Sequence, residues 1–242
     1  MVDNKFKKIA KNVINDEIKS LQKLKSSIDK NFKEVIDLIL NCKKGKVILS
    51  GVGKSGIIAK KISSTLSSVG TPSFFVDASS CSHGDLGQIS SYDVVILLSN
   101  SGESAELKNI IQYANRNKIT LIGIVSKKDS ILYKASDIKL LTPNVTESAG
   151  IVPTSSTVVQ LALGDALSIA TMKKKKFDKS DFKKIHPAGS LGAKLKTVED
   201  IMLTGKKIPF VNENLKMKNA IKILSNKKLG ILIVQNLSLI HI

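Results

Sequence analysis

The sequence predicts an α/β fold: a doubly wound, five-stranded parallel sheet preceded by an N-terminal helical extension. Three observations carry this expectation. From Lys46 onward, short apolar runs alternate with longer helical stretches. The runs are continuously apolar rather than alternating, as strands covered on both faces are. Polar, glycine-containing clusters stand directly after them, where open α/β sheets place their ligands.

The elements follow in order. Residues 6–40 place Ile9, Val13, Ile14, Ile18, Leu21, Leu24, Ile28, Phe32, Val35 and Ile36 at intervals of three and four, the period of an amphipathic helical region of one or two helices. The strands are expected at Lys46–Ser50, Ser73–Asp77, Asp93–Ser99, Thr120–Val125 and Ile138–Leu141, rich in Val and Ile. Helices are expected at Ser55–Val69, Ser104–Asn117, Ser130–Ser136 and Ser155–Met172. Past Thr197 a further unit is expected over Val198–Met202 and Ile208–Val234, with a short strand, a helix from Leu215 to Lys228 and a strand at Gly230–Val234, too small to hold a core alone. The division expected is a helical extension (1–45), a main domain (46–196), a partial further module (197–236) and a non-native tail (237–242). That tail, LSLIHI, reads as the translated end of a sequencing-library transposon, which would mean a truncated chain.

Composition narrows the function classes. The 242 residues carry a formal charge of +18. Nearly all the cations are lysines, and Arg116 is the only arginine. With arginine and aromatics scarce, the groups that read and stack on bases are missing, so no nucleic-acid partner is expected. The run Lys173–Lys176 reads as a solvated helix end. A basic protein does gain attraction for a small anionic substrate. No apolar run approaches the roughly 20 residues of a membrane span, so no membrane partner is expected. The N-terminus lacks a signal-like apolar core. Two cysteines, Cys42 and Cys81, form neither a disulfide framework nor a metal pattern, which suits a reduced, cytoplasmic setting.

Several clusters carry chemistry. Gly51-Val52-Gly53-Lys54-Ser55-Gly56 follows the first strand and opens a helix. Ile48 stands where a P-loop needs its first glycine, which removes that reading. The spacing matches a G-x-G-x-x-G dinucleotide fingerprint, with Asp77 ending the second strand, so a nicotinamide-dependent enzyme is a rival reading. The second loop weighs against it. Ser99-Asn100-Ser101-Gly102-Glu103-Ser104 offers three hydroxyls and several backbone N–H groups at the start of another helix, a cradle for a phosphate monoester. The same donors also serve an ordinary N-capping turn, with Ser101, Ser104 and Glu106 supporting the helix start. Acid–base candidates are His83 on a glycine-flanked loop, Glu106 near the phosphate-loop helix, Glu147 after the last strand, and His186 in a Pro/Gly-rich segment.

In order, GVGKSG, FFVDASSCSHGDLGQI, LLSNSGESAEL, PTSST followed by GDAL, and IHPAGSLG resemble the sugar isomerase (SIS) domain. More narrowly, they resemble the arabinose-5-phosphate isomerases of the pathway to the lipopolysaccharide sugar Kdo. The likeness runs from about residue 5 to 236, and 197–236, with DIM-x-TG at Asp200–Gly205, resembles the first half of the cystathionine-β-synthase (CBS) pair that usually follows in that family. The resemblance implies Ser55, Ser99, Asn100, Ser101 and Ser104 as substrate-binding, with His83 lining the site. It implies Lys54, Glu106, Glu147 and His186 in catalysis, no cofactor, and a homotetramer with sites at subunit interfaces. The family's Cys-Pro-Leu-Gly stretch is missing between Glu147 and PTSST, where the chain is shorter.

The expected reaction interconverts D-arabinose 5-phosphate and D-ribulose 5-phosphate through an enediolate. It needs a carboxylate base, a cation or donor at the developing oxyanion such as Lys54, and an acid for ring opening such as His186. Which glutamate takes the C2 proton stays open at the level of sequence. A non-catalytic sugar-phosphate sensor is a further alternative; such regulators carry a helix-turn-helix domain, which residues 1–45 do not supply.

Overall fold

A computed structural model describes residues 2–186 and 196–235, without the side chains of residues 2 and 3. The chain forms two compact units, Met1–Pro187 and Ala188–Ile242. The segment 187–195, which holds most of IHPAGSLG, and the suspected tail 237–242 lie outside the described residues.

In the first unit the N-terminal stretch folds as two helices, α1 (Val2–Ser27) and α2 (Lys30–Asn41). Asp29 separates them: its side chain accepts the Asn31 N–H at 3.0 Å and caps α2. Then follow β1 (Val47–Gly51), α3 (Gly53–Ser68), β2 (Ser73–Phe75), two short 3-10 turns, β3 (Val94–Leu98), α4 (Leu107–Arg116), β4 (Thr120–Val125), α5 (Ile131–Ala135), β5 (Ile138–Leu141), α6 (Ser155–Lys174) and α7 (Lys179–Ile185).

The five strands are all parallel in the order β2-β1-β3-β4-β5. Alternate side chains of each strand divide between two cores. Val47, Leu49, Ile96, Leu98, Ile122 and Ile124 pack with Leu24, Val35, Ile62 and Leu163 of α1, α2, α3 and α6. Ile48, Val95, Leu97, Leu121 and Val125 pack with Ile110, Ala114 and Leu132 of α4 and α5. Coverage on both faces explains why β1 and β3 are buried at every position.

Strand order reverses direction at β1: the chain leaves β1 for an outer strand, β2, and returns on its other side as β3. The helix after β1 lies on one face and the helix after β3 on the other. This is a topological switch point, and it opens a crevice at the C-terminal ends of β1 and β3.

On the α3 face, α3 and α6 run side by side in the same direction. Lys61 pairs with Asp165, Ile62 lies against Gly164, and Lys175 reaches Gly70 and Thr71 at the far end. A Cβ on Gly164 would stand 2.2 Å from Ile62 Cδ1, so the missing side chain permits this approach. Lys175 departs from the solvated helix end expected for Lys173–Lys176. It is half-buried, and its Nζ donates to Gly70 O and Thr71 Oγ1, both at 3.0 Å. Burial lowers its pKa.

The second unit contains the one-turn helix α8 (Val198–Ile201), β6 (Phe210–Asn212), α9 (Met217–Lys227) and β7 (Ile233–Gln235). Thr197 and Asp200 form a capping box at the start of α8. β6 and β7 pair in parallel. Val211 is buried, while Ile221, Ile231, Ile233 and Val234 remain exposed.

Candidate active site

The first loop is shaped by backbone contact. Gly51 is the last residue of β1 and Gly56 lies in the first turn of α3. A Cβ on Gly56 would fall 2.6 Å from Gly51 O, and one on Gly51 would fall 2.9 Å from Leu98 O. Only glycine lets helix and strand approach this closely. Gly53, with φ +58°, makes the turn between them. Lys54 is left exposed and Ser55 half-exposed in the first turn of a 16-residue helix. Free N–H groups at such a helix start attract an anion.

The second loop opens beside it, because Gly51 of β1 registers with Leu98 of β3. Within Ser99–Ser104 the hydroxyls have unequal roles. Ser99 is buried, and its Oγ accepts the Gly102 N–H at 3.0 Å and lies 3.1 Å from Ser104 Oγ. Ser99 therefore holds the loop from beneath. Ser101 and Ser104 are half-exposed and Asn100 is exposed, which leaves these side chains accessible at the C-terminal end of β3. Ser101 Oγ also accepts the Glu103 N–H at 3.3 Å.

These bonds explain why α4 begins at Leu107 rather than at Ser104 as expected: the serines that read as helix caps organise the loop instead. Glu106 stands at the N-cap position with an exposed side chain that makes no capping bond. Its carboxylate is exposed at the end of the serine-rich loop.

Glu147 is bonded. Leaving β5, the chain brings the carboxylate to the start of α6. There Oε2 accepts the Thr154 N–H (2.7 Å), the Thr154 hydroxyl (3.2 Å) and the Ser156 N–H (3.4 Å). Burial alone would raise its pKa, but hydrogen bonds from Ser156 and Thr154 outweigh burial and hold it below the usual glutamate value. Because α3 and α6 run side by side, Glu147 lies at the same end of the sheet as Lys54 and Ser55. Thr154 and Ser156, which lie in the PTSST motif but were assigned no role from the sequence, are thus what holds the Glu147 carboxylate.

His83 is exposed in the first 3-10 turn after β2, beside Gly84 (φ +109°). The turn is anchored by buried Cys81 and by a 2.9 Å bond from Asn109 Nδ2 to Ser82 Oγ. Burial first, then the carboxylates of Asp85 and Asp77, push the Cys81 thiol up to about 11, so Cys81 is an inert anchor. Asp77, the acidic residue of the dinucleotide reading, spends Oδ1 on the Ser79 N–H at 2.8 Å.

His186 stands apart. It follows α7, stacks on Phe182 with ring centroids 3.7 Å apart, and its Nδ1 lies 2.9 Å from Phe182 O. The chain reaches α7 only after Phe177 has packed on Gly70, at the far end of α3. A 16-residue helix is about 24 Å long, and the seven residues of α7 span about 10 Å. Within its own chain His186 is therefore not brought to the crevice. Elsewhere, a groove of about 680 Å³ bordered by Glu34, Lys118, Lys134 and Asp137 opens at the opposite, N-terminal edge of β4 and β5. Among the described residues no group of three or more His, Cys, Asp or Glu side chains converges as metal ligands.

Residues 39–170 match the SIS domain family. The arabinose 5-phosphate isomerase KdsD of Francisella tularensis is 43% identical over 232 residues, covering 93% of this chain and 71% of the relative. An uncharacterised protein of Rickettsia prowazekii, RP505, is 41% identical over 232 residues, covering 96% and 72%. Among solved structures, Escherichia coli CFT073 c3406 in complex with arabinose 5-phosphate superposes with a TM-score of 0.74 at 37% identity, covering 77% of this chain and 100% of that one.

The Glu147 contacts have a pH signature. A carboxylate with a depressed folded pKa stabilises fully above its ordinary value of 4.5, and the contribution is lost as pH falls through the lower folded value. Glu147→Gln should therefore cost about 1 kcal/mol in urea unfolding at pH 7. The deficit should shrink toward pH 3; one that stays constant would show that the charge contributes nothing.

Proposed function

This chain belongs to the SIS-domain family, among its arabinose 5-phosphate isomerases, and we propose that it interconverts D-arabinose 5-phosphate and D-ribulose 5-phosphate on the way to Kdo. The observation that carries the reading is the pair of loops at the β1/β3 switch point. One is glycine-shaped and starts α3; the other is serine-rich and precedes α4, with a free carboxylate at its end. A phosphate monoester needs convergent N–H and hydroxyl donors, and an aldose–ketose shift needs a carboxylate near them.

In this reading Ser55, Asn100, Ser101 and Ser104 hold the phosphoryl group, with Ser99 supporting the loop and His83 lining the sugar. The proton moves between C2 and C1 on a carboxylate. Glu106 and Glu147 are the candidates, and hydrogen bonds from Ser156 and Thr154 hold Glu147 below the usual glutamate value. Lys54 steadies the enediolate oxygen as charge develops there. No electrons leave the substrate, so the isomerisation requires no redox cofactor.

We infer that His186, which its own chain keeps from the crevice, takes the ring-opening role in the crevice of another copy. Such an arrangement would suit a homotetramer with sites between subunits. We read 197–236 as part of a CBS repeat, and the cytoplasm as the setting that suits two free thiols, Cys42 and Cys81. No described helix is long and apolar enough to cross a membrane.

Two experiments test this. Arabinose 5-phosphate in deuterated water, without cofactor, should yield ribulose 5-phosphate and deuterium at C2 of the recovered aldose by NMR. Glu106→Gln and Glu147→Gln should each lower kcat by at least about 100-fold while remaining folded. Folded wild-type protein that binds the sugar phosphate without exchange or product would mark a sensor instead. The second experiment co-refolds Glu106→Gln chains with His186→Ala chains. Mixed oligomers should regain activity that neither variant has alone; no recovery would place His186 in its own chain's site or outside any.

A further inference from the structure

Loop 99–104 has no strand or helix to keep its shape, so its donors are only as well aimed as the contacts behind it. Those contacts come from the end of β4 and the segment after it. Ser126 donates to Asn100 O through its backbone N–H at 3.1 Å and through its hydroxyl at 2.7 Å. The Leu132 N–H donates to Gly102 O at 3.1 Å. Gly102, at φ +70°, is pressed so close that a Cβ would stand 2.2 Å from Ser130 Oγ and 2.7 Å from Val125 Cγ2.

One loop side chain joins this wall: Glu103, whose Oε1 accepts the Ile131 N–H at 2.9 Å. A carboxylate beside a site for an anion carries a Coulombic penalty. A residue that incurs it yet spends its side chain on a main-chain donor has a structural task.

We propose that Glu103 is a positioning residue for the substrate's phosphoryl group. By accepting the Ile131 N–H it holds Asn100–Ser104 in the shape that aims Ser101, Ser104 and the loop amides into the crevice. This rests on the sugar-phosphate reading above. Its loss loosens the phosphate cradle, which acts equally on the ground and transition states, and leaves the proton-transfer groups untouched. Such a defect appears in KM rather than kcat.

Both ends of the bond can be removed. Glu103→Ala deletes the acceptor, and Glu103→Gln keeps an acceptor oxygen without the charge. Ile131→Pro deletes the donor at a position suited to proline. Ile131 opens α5, where the N–H has no helical partner, and Ser130 has the extended conformation (φ −69°, ψ 157°) required before proline.

Kinetics on arabinose 5-phosphate, with phosphorus NMR titration of inorganic phosphate as an activity-independent measure, decide the matter. Glu103→Ala and Ile131→Pro should each raise KM and the phosphate Kd about tenfold, with kcat within about twofold. The double variant should be no worse than either single, and Glu103→Gln should stay within about twofold of wild type. The proposal is overturned if Glu103→Ala leaves both constants unchanged, if the two losses add, or if Glu103→Gln is as impaired as Glu103→Ala. Should Ile131→Pro fail to fold, the alanine and glutamine variants decide alone. A wild-type protein that neither isomerises the sugar nor binds phosphate would defeat the functional reading first, and this inference with it.

Discussion

The parallel pairing of β1 with β3 is the constraint on which the rest of the molecule depends. Its register, Val47 with Val94 through Gly51 with Leu98, ends both strands at the same level. Their helices then depart to opposite faces, so two helix-opening loops face one crevice. A one-residue slip would reverse the alternation of Ile96 and Leu97 between the two cores. The cores that stabilise the sheet are therefore also what align the site.

Around that pairing, each functional loop is fixed by a different device. The first depends on the absence of side chains, since Gly51 and Gly56 meet backbone to backbone. The second depends on hydroxyls and on the wall formed by Ser126–Leu132. The third brings Glu147 back from the sheet edge and ties it to the start of α6. These bonds favour the carboxylate's charged form while α6 gains partners for its leading N–H groups. One interaction thus serves both the fold and the site.

Much of this was legible in the sequence, for identifiable reasons. Strands buried on both faces announce themselves as unbroken apolar runs, and β4 and β5 lie where Thr120–Val125 and Ile138–Leu141 were expected. The start of α4 was not legible. Ser101 and Ser104 carry the same residue types whether they cap a helix or close a loop, and the choice depends on Ser126–Leu132, more than 20 positions away. α7 was missed despite its Asp178–Asp181 capping box, because it is short and carries no apolar stripe. Lys175 looked like any lysine of its run, and its partners lie about 100 residues earlier in the chain. The distance of His186 from the crevice is a property of how α6 and α3 align, which no local pattern encodes.

The most direct test of the shared crevice is an amide chemical-shift titration with arabinose 5-phosphate on nitrogen-15-labelled protein. Saturable shifts concentrated in 51–56 and 100–104 are the predicted result. Shifts confined to the groove around Glu34, Lys118 and Lys134, with both loops silent, would contradict it.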